Sequence, residues 1–155
     1  MKNILWIIAI AVMPIVGQGY AATTDPFVLL YRISGVRDDN RAAQSGVATS
    51  FHCTNKSTVS EQLAIKILNY NGDTVAENTI TVLPNHTVTL STHAVFAFAS
   101  DLILNTGMVD QGFAGIASTT TDVFCSAMML DASAATPNGI ALHLVRFNSA
   151  SGTQE

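Results

Sequence analysis

In "EQLAIKILNY" (61–70) the apolar residues Leu63, Ile65 and Ile67 recur at every second position. A period of two sends successive side chains to opposite faces of a strand, so this segment predicts β structure. "NGD" (71–73) follows at once, and "TVAENTITVL" (74–83) resumes with β-branched residues. Asn-Gly accepts positive φ at the central positions of a tight turn, so the two runs predict a hairpin. Val75 is out of phase with Ile80 and Val82, which predicts a bulge or bend within the second strand.

The same pattern extends over most of the chain. "FVLLYRI" (27–33) alternates through Phe27, Leu29, Tyr31 and Ile33, and "GVRDDNRAAQSG" (35–46) reads as a polar loop. "VATSFHC" (47–53) places Val47, Thr49, Phe51 and Cys53 on one face and Ala48, Ser50 and His52 on the other. "PN" (84–85) turns the chain into "HTVTLS" (86–91), with Val88 and Leu90 inward. "HAVFAFASDLILNTG" (93–107) has no clear period and reads as a strand, a short helix or a packed crossover loop. "QGFAGIAST" (111–119) and "VFCSAMMLD" (123–131) predict another hairpin, joined by "TTTD", and "GIALHLVRF" (139–147) closes the domain. Seven to eight short strands with turn signals every 8–12 residues predict an all-β fold, an antiparallel β-sandwich.

The N-terminus adds a compartment. Lys2 precedes an apolar run from Ile4 to Val16, and Gly19 and Ala21 are small residues placed for a cut after Ala21. That layout predicts a cleaved signal peptide over 1–21, one domain over 22–148 and a C-terminal tail over 149–155. The apolar run is shorter than the ~20 residues a span requires. No other run reaches that length, so no membrane span is expected after cleavage. Without Lys2 the chain carries six Lys and Arg against eleven Asp and Glu, a net charge of −5. Such a scattered acidic balance argues against nucleic acid as a partner.

Export changes the reading of the two cysteines. Cys53 and Cys125 both fall in predicted strands beside phenylalanines. An even count in an oxidising compartment predicts one Cys53–Cys125 disulfide. Two buried free thiols remain the alternative. A redox or metal role lacks both a C-x-x-C spacing and further ligands. The core Trp and the Tyr two residues before the second Cys that mark immunoglobulin domains are missing, since Val123 holds the latter position.

The order "VATSFHCTN…LAIKILNYNGDTVAENTITVLPNHTVTLST…QGFAGIAST…DVFCSAMMLD" resembles a family of small secreted bacterial β-sandwich proteins. In plan it is also similar to the sensory-rhodopsin-transducer type of β-sandwich. The resemblance spans about residues 46–131 and rests on Asn55, Gly72, Pro84 and Asp131. It implies a fold and oligomer formation; it transfers no catalytic residue. The exported leader departs from the transducer type and from a cytoplasmic signalling role.

Few other residues suggest chemistry. His52, His86, His93 and His143 show no metal-ligand spacing and read as surface or strand-edge residues, with a His86/His93 metal pair as the weaker alternative. Asp101, Asp110, Asp122 and Asp131 fall where Asp makes turns and caps. Gly107, Gly112 and Gly115 lead into a strand, so they form no phosphate loop. The sequons at Asn55 and Asn85 sit on expected turns. No G-x-S-x-G elbow occurs. No catalytic residue, cofactor or metal is expected.

What remains is apolar surface. Val95, Phe96, Phe98, Leu102, Met128 and Leu130 form the candidate interaction patch, against a plain crossover as the alternative. The expected function is non-catalytic binding or assembly, through strand edges or this patch, with a protein partner or by self-association. A glycan is the second candidate partner, though Tyr31 and Tyr70 are the only tyrosines left for stacking on sugar rings.

Overall fold

The computed structural model describes residues 26–147, so the expected signal peptide and tail lie outside the described residues. The described chain is all β, with no helix and ten strands. These are β1 (Val28–Asp38), β2 (Val47–Asn55), β3 (Glu61–Leu68), β4 (Thr74–Val82), β5 (Thr87–Ser91), β6 (Leu102–Ile103), β7 (Val109–Ser118), β8 (Val123–Asp131), β9 (Ile140–Ala141) and β10 (Leu144–Arg146). They form two five-stranded sheets, β10-β1-β7-β3-β4 and β6-β5-β2-β8-β9. Each neighbouring pair is antiparallel except β5–β6. The architecture is a β-sandwich. Seven strands are long; β6, β9 and β10 are short edge pieces.

The core lies between the sheets. Leu63, Ile65 and Ile67 of β3 meet Phe51 and Cys53 of β2 and Leu90 of β5, all essentially without solvent contact. These are the residues whose two-residue period predicted burial. Fully burying one such side chain contributes about 1.5–3 kcal/mol, and the close fit of the layer adds to that.

β1 breaks the simple alternation. Its register against β7 shifts between Leu29 and Tyr31, so Leu30 and Tyr31 are both buried while Leu29 turns outward. A second shift falls between Ser34 and Val36, where Gly35 has φ +82°. An extra residue in the left-handed region is the natural place for glycine. These bulges carry β1 through to Asp38, across a stretch expected to be loop, and bury Val36 and Asp38.

Two expected connections differ. The 111–119 and 123–131 strands are not a hairpin: β7 pairs with β1 and β3, while β8 pairs with β2 in the opposite sheet. Residues 119–122 therefore arch over the sandwich, held by the Asp122 N–H on the Thr120 hydroxyl. Local pattern gives a strand's face but not the sheet it joins. The segment 139–147 splits into β9 and β10, one on each sheet.

The β3–β4 hairpin is present, but its turn is wider than an Asn-Gly two-residue turn. Gly72 has φ +88°, whereas Asn71 is absent from the positive-φ residues. The Asn69 carboxamide oxygen accepts the N–H groups of Asn71 and Asp73. The register shift expected in β4 falls between Ile67↔Ala76 and Leu68↔Thr74, leaving Val75 as the extra residue.

Candidate functional site

Cys53 and Cys125 face each other directly across β2 and β8 and are joined by a disulfide. The bond thus staples neighbouring strands within one sheet, with Cys53 buried in the core. It closes a sequence separation of 72 residues.

The outer face of that same sheet is covered. Residues 92–101 run across it, tied by Thr92 N–H to the Thr49 carbonyl and Phe96 N–H to the Ala132 carbonyl, and by Asp101 N–H to the Thr89 carbonyl. Beneath them Ala48, Val95, Leu130 and Ala132 form a small second core, with Ala97, Phe98 and Met128 packed on it. The six residues expected as one patch are therefore dispersed. Val95 and Leu130 are buried, Phe98 and Met128 are half-buried in the second core, and half-buried Leu102 packs on the main core. Only Phe96 is largely exposed, at 57%. The crossover reading describes 93–107 better than the strand or helix readings do.

The covered face also holds His52. Its ring lies edge-on to Phe98 at 4.6 Å, and Nδ1 is 3.1 Å from the Thr89 hydroxyl. Its Nε2 is buried with no hydrogen-bond partner among the described residues. Burial holds its pKa below the ordinary histidine value.

His93 departs most from expectation, being only 9% exposed. Its Nδ1 lies 2.9 Å from Asp38 Oδ2, and its Nε2 lies 3.1 Å from the Ser45 carbonyl oxygen. Asp38 also accepts the Asn40 N–H at 2.7 Å and the Thr106 hydroxyl at 3.2 Å. A cleft of about 320 Å³ opens beside the pair, walled by Asn40, Arg41 and Ala43 on one side and Ile103, Asn105 and Gly107 on the other. Asn40, Gln44 and Gly46 on one wall loop, and Asn105 and Gly107 on the other, all have positive φ. Backbone conformations of this kind gather where surrounding contacts enforce them. With both ring nitrogens engaged, His93 has none left for a metal, and exposed His86 gains no partner from it.

Sequence reasoning missed this centre because Asp38 and His93 are 55 residues apart and neither has a local signature. Two of the four aspartates expected at turns and caps accept such bonds: Asp101 Oδ2 accepts the Thr89 N–H, and Asp131 Oδ1 accepts from Ser133. Asn55 does not sit on an open turn. It is fully buried, its amide donating to the Val59 and Val82 carbonyls, whereas Asn85 is exposed at φ +58°. Tyr31 is buried and receives Arg146 Nη1–H at 2.9 Å, leaving Tyr70 as the exposed tyrosine.

The opposite sheet ends in an open edge. β4 pairs with β3 alone among the described strands. The Gln62 carbonyl accepts the Thr119 N–H on the β7 side of β3, so by alternation Leu63, Ile65 and Ile67 direct their backbone groups at β4. Their partners Ile80, Asn78 and Ala76 answer them. The N–H and C=O groups of Glu77, Thr79 and Thr81 consequently point out of the sheet.

Among the described residues no helix is long and apolar enough to cross a membrane, and no three His, Cys, Asp or Glu side chains gather to hold a metal. No family model matches the chain. No curated protein matches it. A crystal structure of Thermotoga maritima 1070 is similar to this chain with a TM-score of 0.46 and 11% identity, over 81% of this chain and 96% of that one.

Proposed function

We propose that this is an exported, non-catalytic β-sandwich that works by assembly, adding a strand at the β4 edge. The observation that carries the reading is the edge itself. β4 is nine residues long and contains no Pro, Gly or Lys, the usual guards against strand addition. Its one charge, Glu77, is met by Lys66 of β3 at 3.0 Å.

The partner that fits is β4 of a second copy. Antiparallel pairing about Asn78 sets Glu77 opposite Thr79, so outward backbone groups meet outward backbone groups. The same register puts Ala76 opposite Ile80 on the inner face, and no like charges stand directly opposite. A symmetric pair of this kind closes on itself and leaves no further β4 edge free. The disulfide suits an oxidising compartment, which supports export together with the leader-like N-terminus.

Thr79→Pro tests this directly. The Thr79 N–H points outward, so the substitution removes no ladder bond within the chain, and proline is tolerated on that side of an edge strand. Light scattering over a concentration series should show the native chain as a dimer and the variant as a folded monomer. A native chain that stays monomeric throughout, or a variant that still dimerises, would overturn the assignment.

A further inference from the structure

His93 joins three segments at the mouth of the cleft. It belongs to the crossover, Asp38 ends β1, and Ser45 belongs to the loop between β1 and β2. Thr106, from the segment before β7, reaches the same carboxylate. What matters is the proton count. The Ser45 carbonyl can only accept, and an ionised Asp38 can only accept. A neutral imidazole has one N–H and cannot serve both. The Asn40 N–H donates to Asp38 Oδ1, and the Thr106 hydroxyl, whose one proton is shared between Asp38 Oδ2 and the Gly107 carbonyl, lies beside the same carboxylate. The arrangement is therefore complete when the ring holds two protons.

We propose that the Asp38–His93 pair is a proton-operated latch that fixes the walls of the 320 Å³ cleft. With the extra proton bound, His93 ties the loop before β2, through Ser45, to the end of β1. When the proton leaves, a ring lone pair faces the Ser45 carbonyl oxygen at 3.1 Å, and the tie to that wall is lost. The loop then keeps its backbone bonds alone, Gln44 N–H to Ala94, Asp39 N–H to Val47 and Ala132 N–H to Gly46. The latch is thus closed on the acid side and loosened on the alkaline side.

The other charges around the ring are accounted for. Arg41 lines the cleft and is paired with Asp39 at 3.2 Å. Asp131 flanks the far side of Ser45 and Gly46. The crossover and the segment after it, residues 92–107, contribute only Asp101 besides His93, and Asp101 is engaged with Thr89.

Nitrogen NMR of the His93 ring, together with amide exchange, tests the latch on the native chain across a pH series. Two protonated ring nitrogens are expected at the acid end. On deprotonation, the protection factors of Gln44 and Ala132 should fall roughly tenfold relative to core β3 amides, the scale of one net hydrogen bond. Asp38→Asn keeps an acceptor but removes the charge, so its loop protection should be flat with pH. Should that variant fail to fold, the native titration decides alone. A ring that stays neutral throughout, or one that titrates with no change in loop protection, overturns the proposal.

Discussion

The two sheets treat their outer faces in opposite ways. On β5-β2-β8 the outward positions are filled by Ala48, Leu130 and a hydroxyl chain of Ser50, Ser91 and Ser100, and residues 92–101 close over them. On β1-β7-β3-β4 one outward row runs Arg32, Gly115, Lys66 and Glu77, and the next runs Leu29, Ala117, Ala64 and Thr79. Nothing from the described chain lies over these rows except side chains at the margin, such as Phe147 against Arg32 at 5.4 Å. Among the described residues, one sheet is covered and stapled, and no segment crosses the outer face of the other or pairs with the outer side of β4. On the proposed assembly at the β4 edge, the stapled sheet and the interacting strand fall on opposite sides of one core.

The staple should give the largest effect of any change that tests this contrast. Closing a span of 72 residues contributes about 4 kcal/mol by loop-closure entropy. Replacing both cysteines by serine should lower the unfolding free energy by up to that amount in a urea titration. A drop below about 1 kcal/mol would mean that the covered sheet is held by its crossover rather than by its disulfide.

The covering layer comes next. Leu130→Ala removes a buried side chain from the second core and should cost about 3 kcal/mol, within the usual range for such truncations. Lys66→Ala, at the centre of the open face, breaks only an exposed ion pair and should cost about 0.5 kcal/mol or less. Thermal unfolding of the two variants side by side measures the asymmetry. Comparable losses would show that the open face is as structurally committed as the covered one.

These contrasts were only partly legible in the sequence. Leu63, Ile65, Ile67, Val88 and Leu90 announced their burial through a period of two, because one sheet face meets the core and the other does not. The facing cysteines were legible from their even count and the expected export. The double-sided burial of β2, where Ala48, Ser50 and Phe51 all lose solvent, was not, because the covering segment comes from residues 92–101 and has no period of its own. The Asp38–His93 pair was hidden for a related reason. A bulge at Gly35 carries β1 onward into a stretch whose polarity reads as loop, and a buried charge looks exposed until its distant partner is known.

The smallest effect comes from half-buried His52 on the covered face. His52, under Phe98, has a depressed pKa because burial penalises its charged form. Protonation would place an N–H on the buried Nε2, which has no acceptor among the described residues. The unfolded chain, with a histidine near pKa ~6.5, therefore binds the proton more readily than the folded one. The stability contributed by neutral His52 is present above that value and is lost as pH falls through the depressed folded value. His52→Phe keeps a ring beneath Phe98 and removes the titrating group. Relative to the native chain, it should gain stability as pH falls from ~7 to ~5 while matching it near neutrality. If the difference between the two proteins does not change with pH, His52 is not the acid-sensitive group of the covered face, and the crossover is less tightly closed over it than the ring contact implies.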